Sequence, residues 1–277
     1  MEPTQQKIAT SPVVLITGAS SGIGAAAVAV FAEAGYDVVL TARRLNRLVE
    51  ISDTLKKKYP ARTLLPVECD VTSETSVANL MQIIAQQFGR INVLVNNAGY
   101  GVYGSVEETT VAAFQQNMET NYFGTIRCTQ AALPLLRNAA RDSKARWGAV
   151  IVMVSSIVGR RSMPRLASYS ATKFAMEALS ESLRVELFDE RIAVAVVNPG
   201  VTKTEFGDSA VGNRPNSFLS AEHGMSSEEV ARVLLKSARS PARNRFLTFS
   251  GKMGVFFQWL SPSLLDFVLL RIWRKSK

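Results

Sequence analysis

Short runs of β-branched and aliphatic residues alternate with longer stretches of helical pattern along nearly the whole chain, and that rhythm leaves few folds open. Val13 to Thr17, Asp37 to Thr41, Thr63 to Glu68, Ile91 to Val95, Gly148 to Val154, Ile192 to Val197 and Phe246 to Phe249 read as strands. Between them, Gly22 to Ala34, Leu45 to Tyr59, Ser73 to Phe88, Thr109 to Arg137, Ser168 to Phe188 and Ser226 to Ser240 read as helices. Gly35 supplies a C-terminal stop, Pro60 lies beyond the end of another helix, and a bend is expected near Asn121 to Gly124. The strands are apolar throughout rather than alternating, so both sheet faces must be covered. Strands separated by helices give βαβ units. The expected fold class is therefore α/β, a doubly wound parallel sheet with helices on both faces. Ligands in such sheets bind beyond the carboxyl ends of the strands.

The chain's 277 residues and 47% hydrophobic content are ample for one large core, and no Pro/Gly/Ser-rich linker, repeat or charge block divides it. The expected organisation is a dinucleotide-binding and catalytic domain over 1–250, with a helical extension over 251–277.

The chemistry-bearing residues gather after the strands. Thr17-Gly-Ala-Ser-Ser-Gly-Ile-Gly24 follows the first strand and opens the first helix. Glycines there allow a tight turn and close approach to a pyrophosphate, while the helix N-terminus offers free N–H groups. Asn96-Asn-Ala-Gly99 follows the fourth strand and Val154-Ser-Ser156 ends the fifth. Tyr169-Ser-Ala-Thr-Lys173 places a phenol and an ammonium one helical turn apart. An ammonium at that distance favours phenolate and is expected to lower the tyrosine pKa.

Taken together and in this order, these four elements resemble the short-chain dehydrogenase/reductase family, from about Val13 to about Ser250. The resemblance implies a Rossmann-like fold and hydride transfer between a nicotinamide cofactor and a carbonyl or alcohol; the alternative is a catalytically silent, cofactor-binding regulatory or scaffold protein with the same fold. It assigns the catalytic roles to Asn121, Ser156, Tyr169 and Lys173, with Tyr169 as proton donor or acceptor, Ser156 holding the substrate oxygen, and Asn121 bending its helix. Thirteen positions separate Ser156 from Tyr169, as in the family. The cofactor is expected on Gly18, Ser20, Ser21, Gly22, Ile23 and Gly24, on Asp70 and Val71, on Asn97, Ala98 and Gly99, on Pro199, Gly200 and Thr204, and on Tyr169 and Lys173.

The end of the second strand bears on cofactor choice. An acid there would take the adenine ribose hydroxyls of NAD. The chain reads Ala42-Arg43-Arg44 instead, and a guanidinium suits a phosphate dianion. NADP(H) is expected over NAD(H), with Arg43 on the phosphate.

Composition removes other readings. The net charge of +9 is scattered and carries no nucleic-acid motif, so nucleic acid is not an expected partner. One histidine, His223, excludes mechanisms needing two. Cys69 and Cys128 lack metal or redox spacing and read as buried thiols. Met1 to Ser11 lacks the apolar core of a signal peptide, and a cytoplasmic location is expected, with membrane association left open. A homodimer or homotetramer is expected through the long central helices. Val102, Tyr103, Met163, Leu166, Phe206, Phe218, Leu219 and Met225 are expected to border a substrate pocket for a lipophilic carbonyl compound, with a lid between Gly207 and Ser220.

The tail is apolar over Val255 to Leu260 and Leu264 to Trp273, with basic Arg271, Arg274, Lys275 and Lys277 at its end. Wound as a helix, it carries apolar side chains nearly all round. It is expected to seek cover outside its own core, either a membrane interface or a second subunit; packing on its own domain is the alternative.

Overall fold

The computed structural model describes residues 11–205, 211–212 and 224–275. Its centre is a seven-stranded parallel sheet. Six strands are β1 (Val13–Thr17), β2 (Asp37–Ala42), β3 (Leu64–Glu68), β4 (Val93–Asn96), β5 (Ala149–Val154) and β6 (Ile192–Asn198). A short pair, β7 (Thr202–Lys203) and β8 (Met225–Ser226), lies outside the sheet, and β9 (Arg245–Phe246) closes it. The order β3-β2-β1-β4-β5-β6-β9 reverses direction between β1 and β4. That is the switch point at which doubly wound sheets open a crevice. Pro66 has no N–H to give, and it sits on the edge strand β3, where that costs least.

Alternation along each strand feeds two cores. Val13 and Leu15 of β1 face one side, and Val14 and Ile16 the other. The first core meets α3 (Glu74–Phe88), α5 (Gly124–Asp142) and α6 (Ala167–Glu186). The second meets α1 (Gly22–Glu33), α2 (Leu45–Lys58) and α7 (Ser227–Arg239). Both faces are thus covered, as the unbroken apolar strands require.

Local signals set most boundaries. Ser73 caps α3 by accepting from the Ser76 N–H, and Gly89 ends that helix in the left-handed region. Ser226 and Glu229 cap α7 reciprocally. The bend expected near Asn121 is a π-helical turn, Glu119–Phe123, between α4 (Val111–Met118) and α5. Two expectations need correction. The last strand stops at Phe246, because Thr248 caps a new helix that begins at Phe249. The helix expected to end at Arg137 continues to Asp142.

The tail forms two helices, α8 (Phe249–Leu260) and α9 (Pro262–Lys275), broken at Ser261. Pro262 opens α9 at the position where its missing N–H is harmless. Among the described residues, no helix is long and apolar enough to cross a membrane.

Candidate active site

The cleft at the carboxyl end of the sheet is built on a turn that only glycine can make. Gly18 has φ of 66°, and an added Cβ would lie 2.8 Å from the Ala98 Cα. At Gly24 a Cβ would overlap the Gly18 carbonyl oxygen. The backbone of the turn therefore folds tightly against α1 and against the loop after β4. Asn97 fixes this arrangement, its amide donating to the carbonyls of Thr17 (2.9 Å) and Gly18 (3.1 Å). The Thr17 hydroxyl accepts from the N–H groups of Asn97 and Ala98, both at 3.0 Å. No side chain caps α1, and its opening residues Gly22 and Ile23 line the cleft. The turn is a cradle of backbone N–H groups with room for a phosphate and none for side chains, which fits a dinucleotide.

Gly18, Ser21, Gly22, Ile23, Asn97, Gly99, Ser156, Tyr169, Lys173, Pro199, Gly200 and Thr204 all line this one cleft. Ser20, Gly24, Arg43, Asp70, Val71, Ala98 and Asn121 are not among its lining residues. Asp70 accepts from both the N–H and the hydroxyl of Thr72. Burial opposes its charge, but those bonds and the nearby Arg43 guanidinium hold its carboxyl below the usual range. Val71 is buried beside Gly124.

The two arginines after β2 divide their work. Arg43 is exposed, and its charge reaches Asp70 and Tyr100. Arg44 donates to the Ser20 hydroxyl at 2.9 Å and to the Ser21 hydroxyl at 3.1 Å, which ties α2 to the glycine turn. Sequence reasoning singled out Arg43 and passed over Arg44. Adjacency to Arg43 was the one signal for it.

On the other side of the cleft, the Tyr169 hydroxyl is hydrogen-bonded to Ser156. Lys173 is buried and its ammonium donates to the Val154 carbonyl at 2.8 Å. The ammonium lies 5.5 Å from the centre of the Tyr169 ring. The expected lowering of the phenol pKa does not prevail here. Burial pushes Tyr169 above its ordinary value, Tyr103 adds to this, and the Ser156 bond only partly offsets it. Burial also pulls Lys173 down to about 8, against the attraction of Glu177. Desolvation outweighs the pairing: Lys173 is buried and Tyr169 is half-buried against the wall of the cleft.

Asn121 lies behind these residues in the π-helical turn. Its side-chain oxygen accepts from the Tyr100 N–H, and its amide donates to the Tyr100 carbonyl, each at 3.0 Å. The amide also reaches the Thr172 hydroxyl at 3.1 Å, next to Lys173. Asn121 thus joins the loop after β4 to α6.

A second support was not anticipated. Glu177 is buried one turn beyond Lys173, paired with Arg160 at 2.6 Å. With its amide oriented to suit its neighbours, Asn198 donates to Glu177 at 2.8 Å and to the Ser156 carbonyl at 2.9 Å. The carboxylate therefore braces both α6 and the end of β5. A Glu four residues after Lys173 was the available sequence signal.

The apolar wall of the cleft comes from Tyr103, Ile157, Val158, Met163, Leu166 and Val201. Tyr103, Met163 and Leu166 were expected there. Val102 does not line the cleft but bridges to Val211, and Met225 lies in the β7–β8 pair. Phe206, Phe218, Leu219, His223 and most of the expected lid lie outside the described residues. No group of metal-ligating side chains occurs among the described residues.

Known proteins similar to this chain share its family and fold. The short chain dehydrogenase family model matches residues 12–214. The chain is 33% identical over 272 residues to dehydrogenase/reductase SDR family member 7B of Mus musculus, covering 96% of this chain and 82% of that protein. It is 36% identical over 260 residues to retinol dehydrogenase 8 of Bos taurus, covering 84% and 80%. A short-chain dehydrogenase from Sphingobium yanoikuyae, solved in complex with NADPH, superposes with a TM-score of 0.75 at 26% identity. That match covers 94% of this chain and 95% of the other.

Proposed function

Because the chain belongs to the short-chain dehydrogenase/reductase family, an oxidoreductase family acting on CH–OH and C=O groups, we propose that it is an NADP(H)-dependent reductase of lipophilic ketones or aldehydes. The observation that carries this reading is the convergence of the glycine cradle with Ser156, Tyr169 and Lys173 on one cleft with an apolar wall. The rest of the assignment follows the chemistry of each side chain.

Gly18, Gly22 and the N-terminus of α1 would hold the pyrophosphate, and Asp70, Val71 and Asn97 would border the adenosine. Arg43, with Arg44 beside Ser20 and Ser21, would meet the 2′-phosphate. Pro199, Gly200 and Thr204 would border the nicotinamide. When bound, the nicotinamide supplies a hydride to the carbonyl carbon or takes one from an alcohol. Ser156 donates to the substrate oxygen and stabilises its developing charge. Tyr169 gives that oxygen its proton. Burial holds the phenol above its ordinary range, so it stands ready as the proton donor in the reductive step, and the same group takes the proton back in the reverse step. Lys173 holds positive charge against the proton-donating end of the site, and Asn121 positions α6 through Thr172.

Cys69 and Cys128 are free and buried, in keeping with a reducing cytoplasm. Self-association through the central helices is part of this reading and is supported by the exposed Phe174 and Val185 on α6.

Turnover of a panel of ketones and aldehydes, followed by NADPH absorbance, tests the proposal. Reduction of apolar carbonyl compounds is expected. Tyr169→Phe should cut kcat by about a thousandfold while leaving NADPH affinity near the parental value. Absence of turnover across the panel, or a Phe variant with near-parental kcat, overturns it.

A further inference from the structure

The two tail helices expose more apolar surface than their packing explains. On α9, Leu265, Leu269 and Trp273, spaced i, i+4, i+8, are partly covered. The opposite side carries Leu264, Phe267, Val268 and Arg271 at i, i+3, i+4, i+7, and all four are exposed. α8 adds Phe249, 78% exposed, and Trp259, 82% exposed, together with Phe256 and Leu260. Isolated apolar side chains on a surface need no explanation, but a contiguous cluster on two adjoining helices does.

The hairpin is not a loosely attached end. Gly251 packs so closely on Ile157 that a Cβ would lie 2.7 Å from its Cγ2. Arg161 donates to Gln258 on α8 and to Asp266 on α9. Ile157 lines the cleft directly after Ser156. The exposed apolar face is thus anchored to a wall of the candidate active site.

Charge selects the occupant. Lys252, Arg271 and Arg274 are exposed beside the apolar residues. Asp266 is the sole acid between residues 249 and 275, and Arg161 already holds it. A second copy seated on this face would take three cations out of water with no carboxylate on the same face to meet them. A bilayer interface offers both needs at once: acyl chains for the Phe, Leu and Trp side chains, and phosphates to which Lys and Arg extend. At 14 residues, α9 is about 21 Å long and cannot cross a hydrocarbon core of about 30 Å. It can lie within the interface.

We infer that α8 and α9 form a monotopic docking surface for a bilayer containing anionic lipid, and that this surface holds the wall of the cleft against the membrane. The docking surface stands on its own observations. Its link to lipophilic substrates rests on the function proposed above.

The test is co-sedimentation of the full chain with vesicles of phosphatidylcholine alone and with 30% phosphatidylserine, in low and high salt. Thermal melting and solution mass are measured alongside. Binding is expected on the anionic vesicles and should weaken with salt. Arg271→Gln with Arg274→Gln should weaken it by about thirtyfold. Trp259→Ser with Phe267→Ser should abolish it at unchanged melting temperature, since both side chains point outward. Failure of the parent chain to bind anionic vesicles overturns the inference. So does a self-associated parent that fails to bind vesicles and becomes monomeric in the Trp259/Phe267 variant, because a second copy then covers the face. None of these readouts uses turnover, so docking can fail while the enzymatic reading stands, and the reverse.

Discussion

At the scale of single residues, charge and burial are set against each other throughout the cleft. Arg43 and Arg44 follow Ala42 at the end of β2, and both are exposed. Removing Arg43 should therefore cost a charge-assisted contact without harming the fold. Arg43→Ala is expected to reduce the kcat/KM preference for NADPH over NADH by about tenfold or more. Equal use of both cofactors by the parent chain would remove the phosphate role. Lys173 gives a stability prediction. Its folded pKa is about 8, below the ordinary lysine value of 10.5. Between these values the unfolded chain binds more protons, so this group's contribution to stability rises with pH across that window. Its cost is fully present below about pH 8. Comparing melting temperatures of the parent and Lys173→Met from pH 7 to pH 10 should show the difference moving in the parent's favour. A difference that does not change with pH would mean that Lys173 is not desolvated.

Elements divide into those that hold the cofactor turn and those that only stabilise the domain. Gly24 lies in the first turn of α1, and a methyl group there meets the Gly18 carbonyl with no room to relax. Gly24→Ala should cost about 1–3 kcal/mol and weaken NADPH binding as well. Ser226→Ala removes a capping box on α7, outside the cleft, and should cost about 1 kcal/mol with cofactor affinity unchanged. Denaturant unfolding and cofactor titration of the two variants separate these roles. Loss of NADPH affinity in the Ser226 variant, or its retention in the Gly24 variant, would contradict the division.

The molecule as a whole is a sheet buried on both faces, and this makes neighbouring residues of one strand equally costly to cut back. Leu15 and Ile16 point to opposite cores and both are fully buried. Leu15→Ala and Ile16→Ala should each cost about 2–5 kcal/mol in chemical denaturation. A cost at only one of them would mean that one helical layer is dispensable. This two-sided burial was written in the sequence, because unbroken apolar strands separated by helices admit little else. The glycine turn was legible for a similar reason: positive φ and close backbone approach demand glycine locally, whatever surrounds it. The sequence also placed Tyr169 and Lys173 on one helical face, since four residues make about one turn. It could not say which physical effect would govern them. Their pKa values depend on how much water the folded cleft excludes, and burial overrode the pairing that spacing alone suggested. Arg44 on Ser20 and Ser21, and Glu177 bracing Ser156 through Asn198, join segments distant in the chain. Such contacts are set by where the sheet brings elements together, and only the tertiary structure decided them. The tail's apolar circumference was visible in its pattern. Which side turned inward was fixed by the packing of Gly251 on Ile157 and the reach of Arg161, neither of which any local rule encodes.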